Sequence, residues 1–479
     1  MDLHLDLDGL ARHAAVQIAA GLRDAVRSGR LAAGTRLPPS RTLAADIGVS
    51  RGPVVEAYEQ LVAEGLLVSR QGAGTWVAGL SRRPAGPGRP GGPAADPATA
   101  TAPVRYDLTP GTPDLAGFPR QQWLAALRHA AAVLPHHQLG YCDPGGLPGL
   151  RAELAGYLRR VRAADASADD VVVVAGVAQG LSLTARALAA TGRRLLAVED
   201  PTSVRTRPLL QAAGVRLVPV PVDGEGLDVA SLRRTPARSV LLTPAHQYPT
   251  GVVLSARRRA ALLDWAAEAD AIVVEDDYDA EFRYDREPVG CLQGLAPERT
   301  VLTGSVSKSL APGLRLGWVA APPRLAHALR LGRAHADLGS PVLDQAALAQ
   351  LIASGSYDHH LRRMRRRYRA RRDALVTALN RWLPAARVRG VSAGVHLLLE
   401  LPPGCAEADA AAAAAARGIA VGQVAPMRAA PGGPPALVLG YARLPEQHLT
   451  DAARLLARAV HAAQARAAAP ERPGHHSAP

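Results

Sequence analysis

The chain has 479 residues, 56 of them Lys or Arg against 42 Asp or Glu, for a formal net charge of +14. That length excludes a single small domain, the charge favours a polyanionic partner, and Cys142, Cys291 and Cys405 are too scattered for a disulfide framework or a metal-ligand cluster, so no metal is expected. The acidic start, MDLHLDLDGL, is unlike a secretory signal, and no apolar run reaches the roughly 18 residues of a membrane span, so a reducing cytoplasm is the expected compartment and no membrane partner is expected.

Residues 10 to 29 carry Leu10, Ala14, Ile18, Leu22 and Val26 at helical spacing and close on Ser28-Gly29. Ser40 is placed to cap a second helix beginning at Arg41, which stops at Gly48. Ser50-Arg51-Gly52-Pro53 opens a third, with Pro53 in the first turn, where a missing N–H costs little. Its apolar face is Val54, Ala57, Tyr58, Leu61 and Val62, which leaves the edge led by Arg51 free. Two short strands, Leu66 to Arg70 and Thr75 to Val77, then read as a hairpin across Gln71-Gly72-Ala73-Gly74. The order resembles the GntR-type winged helix over residues 10 to 78. The resemblance implies that the third helix enters a DNA groove, with Arg41, Ser50, Arg51, Gly52 and Arg70 at phosphates or bases and the tip of Gly72, Gly74 and Thr75 at the backbone or minor groove.

A winged-helix domain is therefore expected over 1–78, followed over 79–104 by a Pro/Gly/Ala linker that cannot bury a core. From 105 to 464 strand-like and helix-like segments alternate, the pattern of an α/β domain with a mostly parallel sheet and a smaller C-terminal subdomain. A disordered tail is expected over 465–479. The run His359 to Arg372 is helical, with Leu361, Met364, Tyr368 and Leu375 facing inward and its arginines facing water.

Three segments of the α/β region carry chemistry. Val171 to Val174 is an apolar strand that breaks at Gly176 into a helix, a junction that offers the amides of Val177 and Ala178 to a phosphate. Ala271 to Asp279 is a β-branched strand that delivers Asp276 and Tyr278 at its carboxyl end, where open α/β sheets bind ligands. Thr303 to Arg315 holds Lys308, the only lysine in the chain, among Ser305, Ser307 and Arg315. An amine can be made neutral by burial and attack an aldehyde; a guanidinium cannot.

These segments resemble the fold-type I aminotransferases, which bind pyridoxal 5′-phosphate. The resemblance implies that Lys308 forms the Schiff base, Asp276 pairs with the pyridinium nitrogen and Tyr278 meets the ring oxygen. Ser305, Ser307, Arg315 and the amides of Val177 and Ala178 would hold the phosphate, with Tyr141 reaching the phosphate of the partner subunit in a homodimer. His246-Gln247-Tyr248-Pro-Thr-Gly251 stands in place of the family's Asn-Pro-Thr-Gly turn, so Gln247 and Tyr248 are further cofactor candidates, with Tyr248 where an asparagine would touch the ring. Ser203 replaces the tyrosine that stacks on the ring. Arg205, Arg428 and Arg443 are the candidates for an effector's carboxylate. A winged helix joined to such a body resembles the MocR subfamily, which implies a transcription regulator sensing the cofactor or an amino-acid-like effector through Lys308. The alternatives are a working aminotransferase with an appended winged helix, and a dimerisation scaffold that has lost the cofactor.

Overall fold

The computed structural model describes residues 13–70, 73–79, 103–284 and 290–468. It forms two units, residues 1–99 and 100–479. In the first, α1 (Ala14–Arg27), α2 (Ser40–Asp46) and α3 (Arg51–Ala63) are followed by β1 (Leu67–Arg70) and β2 (Gly74–Val77), an antiparallel hairpin. The amphipathic faces of α1 and α3 meet through Ile18, Leu22, Val54, Ala57 and Leu61, all buried, and Val77 of the hairpin closes the same core. Val62, expected on that face, is 37% exposed, because the hairpin and the first two helices cover the opposite side of the turn. Ser40 is the first residue of α2 rather than its cap, and Ser50 is the N-cap of α3 but makes no side-chain capping bond.

The second unit begins with β3 (Tyr106–Asp107), which pairs in parallel with β14 (Ile419–Ala420). Its main sheet contains β4 (Val171–Val174), β5 (Leu195–Asp200), β6 (Arg216–Asp223), β7 (Gly226–Leu227), β8 (Ser239–Leu242), β9 (Ile272–Asp276), β10 (Thr300–Ser305) and β11 (Gly317–Ala320). The order is β4-β11-β10-β9-β8-β5-β6-β7, with β10, β9, β8, β5 and β6 parallel, β11 antiparallel to both β10 and β4, and β7 antiparallel to β6. β4 reads Val-Val-Val-Val and is buried throughout, as a strand covered by helices on both faces must be.

A second, antiparallel sheet is made by β12 (Arg387–Arg389), β13 (His396–Glu400), β15 (Gly422–Gln423) and β16 (Ala436–Gly440), in the order β12-β13-β16-β15. It belongs to the smaller subdomain, built with the helices Ser356–Trp382 and Glu446–Ala468. Along the first of these helices Leu361, Met364, Tyr368 and Leu375 are buried, as their spacing requires. Several of its arginines do more than face water: Arg371 is buried and pairs with Asp114 at 3.1 Å, and Arg367 pairs with the same carboxylate at 2.7 Å. The last helix runs to Ala468, beyond the expected boundary at 464. Most of the linker, 80–102, and the tail from 469 lie outside the described residues.

Candidate cofactor site and nucleic-acid face

β9 and β10 are parallel neighbours, with Thr303 opposite Asp276, so both deliver their last side chains to the same edge of the sheet. Thr303 Oγ1 donates to Asp276 Oδ1 at 3.3 Å. Lys308 lies in the turn that follows β10, and its Nζ makes a very short hydrogen bond to the backbone carbonyl of Gly111. Burial pushes the Lys308 ammonium below its usual range; Asp279 and Asp276 oppose that shift and Arg205 adds to it. Burial pushes the Asp276 carboxyl up to about 7, against the hydrogen bond from Thr303. Lys308 and Asp276 thus lie close enough for each to act on the other's charge.

Two strands away from β10, Gly176 sits at φ +82° between β4 and the helix Val177–Ala190. That helix opens with amides that no carbonyl of its own can satisfy. Arg315, in the left-handed region at φ +52°, donates to the carbonyl of Ala175, and its guanidinium lies against Gly176 so closely that a Cβ there would stand 2.8 Å from Nη2. Gly317, paired with Ser305 in the sheet, packs on Gly176 in the same way. Through Gly317 and Gly176 the fold brings Ser305 and Arg315 towards the start of the helix at Val177 and Ala178. Ser307 is joined to Ser305 through its backbone N–H, 3.3 Å from Ser305 Oγ.

The opposite rim is aromatic. Tyr278 donates to the carbonyl of His246 at 3.0 Å, and its hydroxyl is 3.1 Å from His246 Nδ1, which lies 3.0 Å from Asp279 Oδ2. Tyr248 meets Tyr278 edge-on, and His396 of β13 lies beside both, 5.1 Å from Tyr248 and 6.4 Å from Tyr278 between centroids. Gln247, expected at the cofactor, is turned inward instead. It is 1% exposed and bonded to Pro201 O, Tyr248 O, Thr250 N and Thr250 Oγ1, so it holds the turn. Linear motifs missed Gly111, His246, Asp279 and His396; the Asp-Asp-Tyr-Asp run was the one signal that could have pointed to Asp279.

The three effector candidates part company. Arg205 is exposed at the site and acts electrostatically on both Lys308 and Tyr248. Arg443 is paired with Asp107 of β3 and is thereby committed away from a ligand. Arg428 donates to Pro434 O at 2.6 Å and lines a cavity of about 1110 Å³ with Asp200, Arg389 and Glu400. Lys308 and Asp276 do not line that cavity, and we place the chemistry at Lys308 because the reactive groups converge there. Tyr141 is 93% exposed on its own chain.

In the N-terminal unit, Arg41, Ser50, Arg51, Gly52 and Arg70 are all exposed, and Arg51 Nε reaches Ser40 Oγ at 3.2 Å, joining the starts of α2 and α3. Gly74 and Thr75 lie on the strand leaving the hairpin tip; Gly72 lies outside the described residues. Arg36 was not anticipated: with Arg70 it flanks Trp76, at 5.7 and 5.9 Å from the ring centroid, and it donates to Ala73 O. The tip thus carries two more ordered cations than a bare glycine loop would.

A half-buried amine, a carboxyl and a phenol near one edge of the sheet, with Arg315 against Gly176 at the start of a helix, are the kinds of group that pyridoxal 5′-phosphate needs, on a mostly parallel sheet with a small C-terminal subdomain. The molecule is thus a winged-helix head on a body of aminotransferase type. Residues 107–456 match the family described as aminotransferase class I and II, and 14–77 match the bacterial regulatory proteins of the gntR family. The probable rhizopine catabolism regulatory protein MocR of Rhizobium meliloti is 37% identical over 76% of this chain and 76% of its own. The HTH-type pyridoxine biosynthesis transcriptional regulator PdxR of Corynebacterium glutamicum is 36% identical over 80% of this chain and 82% of its own. Among solved structures, the α-aminoadipate aminotransferase LysN of Thermus thermophilus is 27% identical, with a TM-score of 0.68 over 75% of this chain and 93% of that one. The chain belongs to the MocR-type regulators, in which a gntR-family head is fused to an aminotransferase class I and II body.

Proposed function

We propose that this protein is a pyridoxal 5′-phosphate-dependent transcription regulator that works in the cytoplasm as a homodimer on operator DNA. When bound, the cofactor supplies an aldehyde and an electron-poor ring. Lys308 provides the amine that joins it, Asp276 the charge facing its ring nitrogen and Tyr278 the donor at its ring oxygen. Ser305, Ser307, Arg315, Val177 and Ala178 hold the phosphate, and Tyr141, unburied on its own chain, serves the partner's site. Arg205 meets the carboxylate of an amino-acid-like effector. No helix among the described residues is long and apolar enough to cross a membrane.

The observation that carries this reading is the pairing, on one chain, of an exposed arginine-bearing helix start with a lysine site poorly equipped for turnover. Ser203 offers no ring to stack on the cofactor, and Arg443 is spent on Asp107. Effector binding at Lys308 shifts the smaller subdomain, and the switch needs a preference of about 1–3 kcal/mol between two arrangements of the heads. The test is binding to the DNA flanking the protein's own gene, with and without the cofactor and a panel of amino acids. Lys308→Ala should keep basal DNA binding and lose the effector response. An unaltered response in Lys308→Ala, or rapid transamination by the wild type, would sink the regulatory reading.

A further inference from the structure

The turn at 246–251 has Tyr248 where an asparagine would offer its amide to the ring oxygen, and the structure surrounds that gap with an unanticipated group. We propose that His246 is the positioning residue for the cofactor's ring oxygen: clamped by Asp279 and roofed by His396, it keeps Tyr278 a hydrogen-bond donor at that oxygen. The proposal rests on the cofactor reading above.

His246 is 3% exposed and Asp279 1%, so their polar atoms answer to neighbouring groups rather than to water, whereas His396, 2% exposed, has a buried Nε2 with no hydrogen-bond partner among the described residues. Asp279 places its carboxylate oxygens 3.0 and 3.3 Å from His246 Nδ1. A carboxylate only accepts, so the imidazole proton resides on Nδ1, and that nitrogen has no lone pair left for Tyr278. The tyrosine proton is thereby confined to the carbonyl of His246, at 3.0 Å, or to an incoming anionic oxygen. Burial, with Asp279, Tyr248, Asp276 and Glu199 nearby, holds the Tyr278 phenol well above its usual range and so protonated.

The far side of the ring is closed by the smaller subdomain. His396 lies 4.9 Å from His246 between centroids, and Gly394, at φ +74°, is so close that a Cβ there would collide with His246 Cε1 and Asp279 Oδ2. The charged and titratable groups around His246 and its partner tyrosine are Asp279, Asp276, Lys308, Arg205, Tyr248, Glu199 and His396. The ligand atoms of His246, Asp279 and His396 come within 4.8 Å of one another, but an ion among them would have to break the His246–Asp279 hydrogen bond that gives the arrangement its direction.

A donor at the ring oxygen draws electron density from the ring system and makes the nitrogen joined to Lys308 less basic. The experiment is a pH titration of the visible spectrum of the cofactor-loaded protein for wild type, His246→Leu, His246→Asn and Asp279→Asn, with borohydride trapping on Lys308 to verify loading. His246→Leu should raise the midpoint by about one pH unit, a tenfold change in proton affinity. His246→Asn, whose side-chain amide can still donate to Asp279, should stay near the wild type, and Asp279→Asn should move part of the way. Equal midpoints in wild type, His246→Leu and Asp279→Asn would overturn the proposal while leaving the cofactor reading intact. A wild type with no cofactor band and no trapped adduct would overturn both. Should His246→Leu not fold, Asp279→Asn decides alone, an unmoved midpoint counting against the proposal.

Discussion

Asp276→Asn replaces a charge by a neutral isostere at the point where the ring nitrogen is expected, and the structure gives the result a sign in each state. Raising this carboxyl from 3.8 to about 7 amounts to about 4 kcal/mol for carrying the charge in the folded, cofactor-free chain. Part of the side chain still reaches water, which screens it, so about 2 kcal/mol is the figure carried forward. Because the folded value lies above the unfolded one, the carboxyl costs nothing below about pH 4, and the cost builds as pH rises and is complete above about 7. Asparagine has no charge to bury, so the cofactor-free variant should melt a few degrees higher than wild type at pH 8 and about the same at pH 4. With the cofactor the order reverses, since a charge-assisted bond worth about 1.5–3 kcal/mol is gone and affinity should fall about 10- to 100-fold. Thermal melts at both pH values and a spectrophotometric cofactor titration make the comparison. A variant that melts no higher at pH 8 and binds the cofactor as tightly as wild type would refute the placement of Asp276.

Three further outcomes are expected. Gly176→Ala puts a methyl 2.8 Å from Arg315 Nη2 at a φ of +82° that alanine resists, so cofactor affinity should drop at least about tenfold and the melting temperature of the cofactor-free chain should fall by about 1–4 °C. Arg162→Ala strips the guanidinium from buried Asp277, which it holds at 2.7 and 2.9 Å; the loss should be about 3–5 kcal/mol, read as an earlier urea midpoint. Arg51→Ala should weaken operator binding and lower the slope of log affinity against log salt by about one, measured by fluorescence anisotropy across salt concentrations.

The α/β body, its mostly parallel sheet and the helix-turn-helix with its hairpin were legible because each rests on local pattern: apolar runs, glycine breaks and capping residues. Lys308, Asp276, Tyr278 and Arg315 were named from local sequence: Asp276 closes β9, and the others stand in the turns that follow β9 and β10. Gly111 was not, since it meets Lys308 from 197 positions away, and no local signal marks such an encounter. His396 reads as one polar residue in an apolar strand until the smaller subdomain lays it on His246. Gln247 and Arg443 were plausible ligand contacts by type, and only their tertiary neighbours, the backbone of the turn and Asp107, decide where they are spent. Val62 shows the same limit within one helix: spacing gives a stripe, and the packing partner sets its width.

The solitary lysine has a practical corollary for anyone handling the protein. Apart from the amine at the chain start, Nζ of Lys308 is the one primary amine for an acylating reagent, and it is half-buried and donates to the carbonyl of Gly111. A succinimidyl ester therefore becomes an occupancy gauge: conjugation proceeds where the cleft is vacant and stalls where it is filled. The mass of the intact chain counts the groups added, and peptide mapping separates Lys308 from the terminal amine.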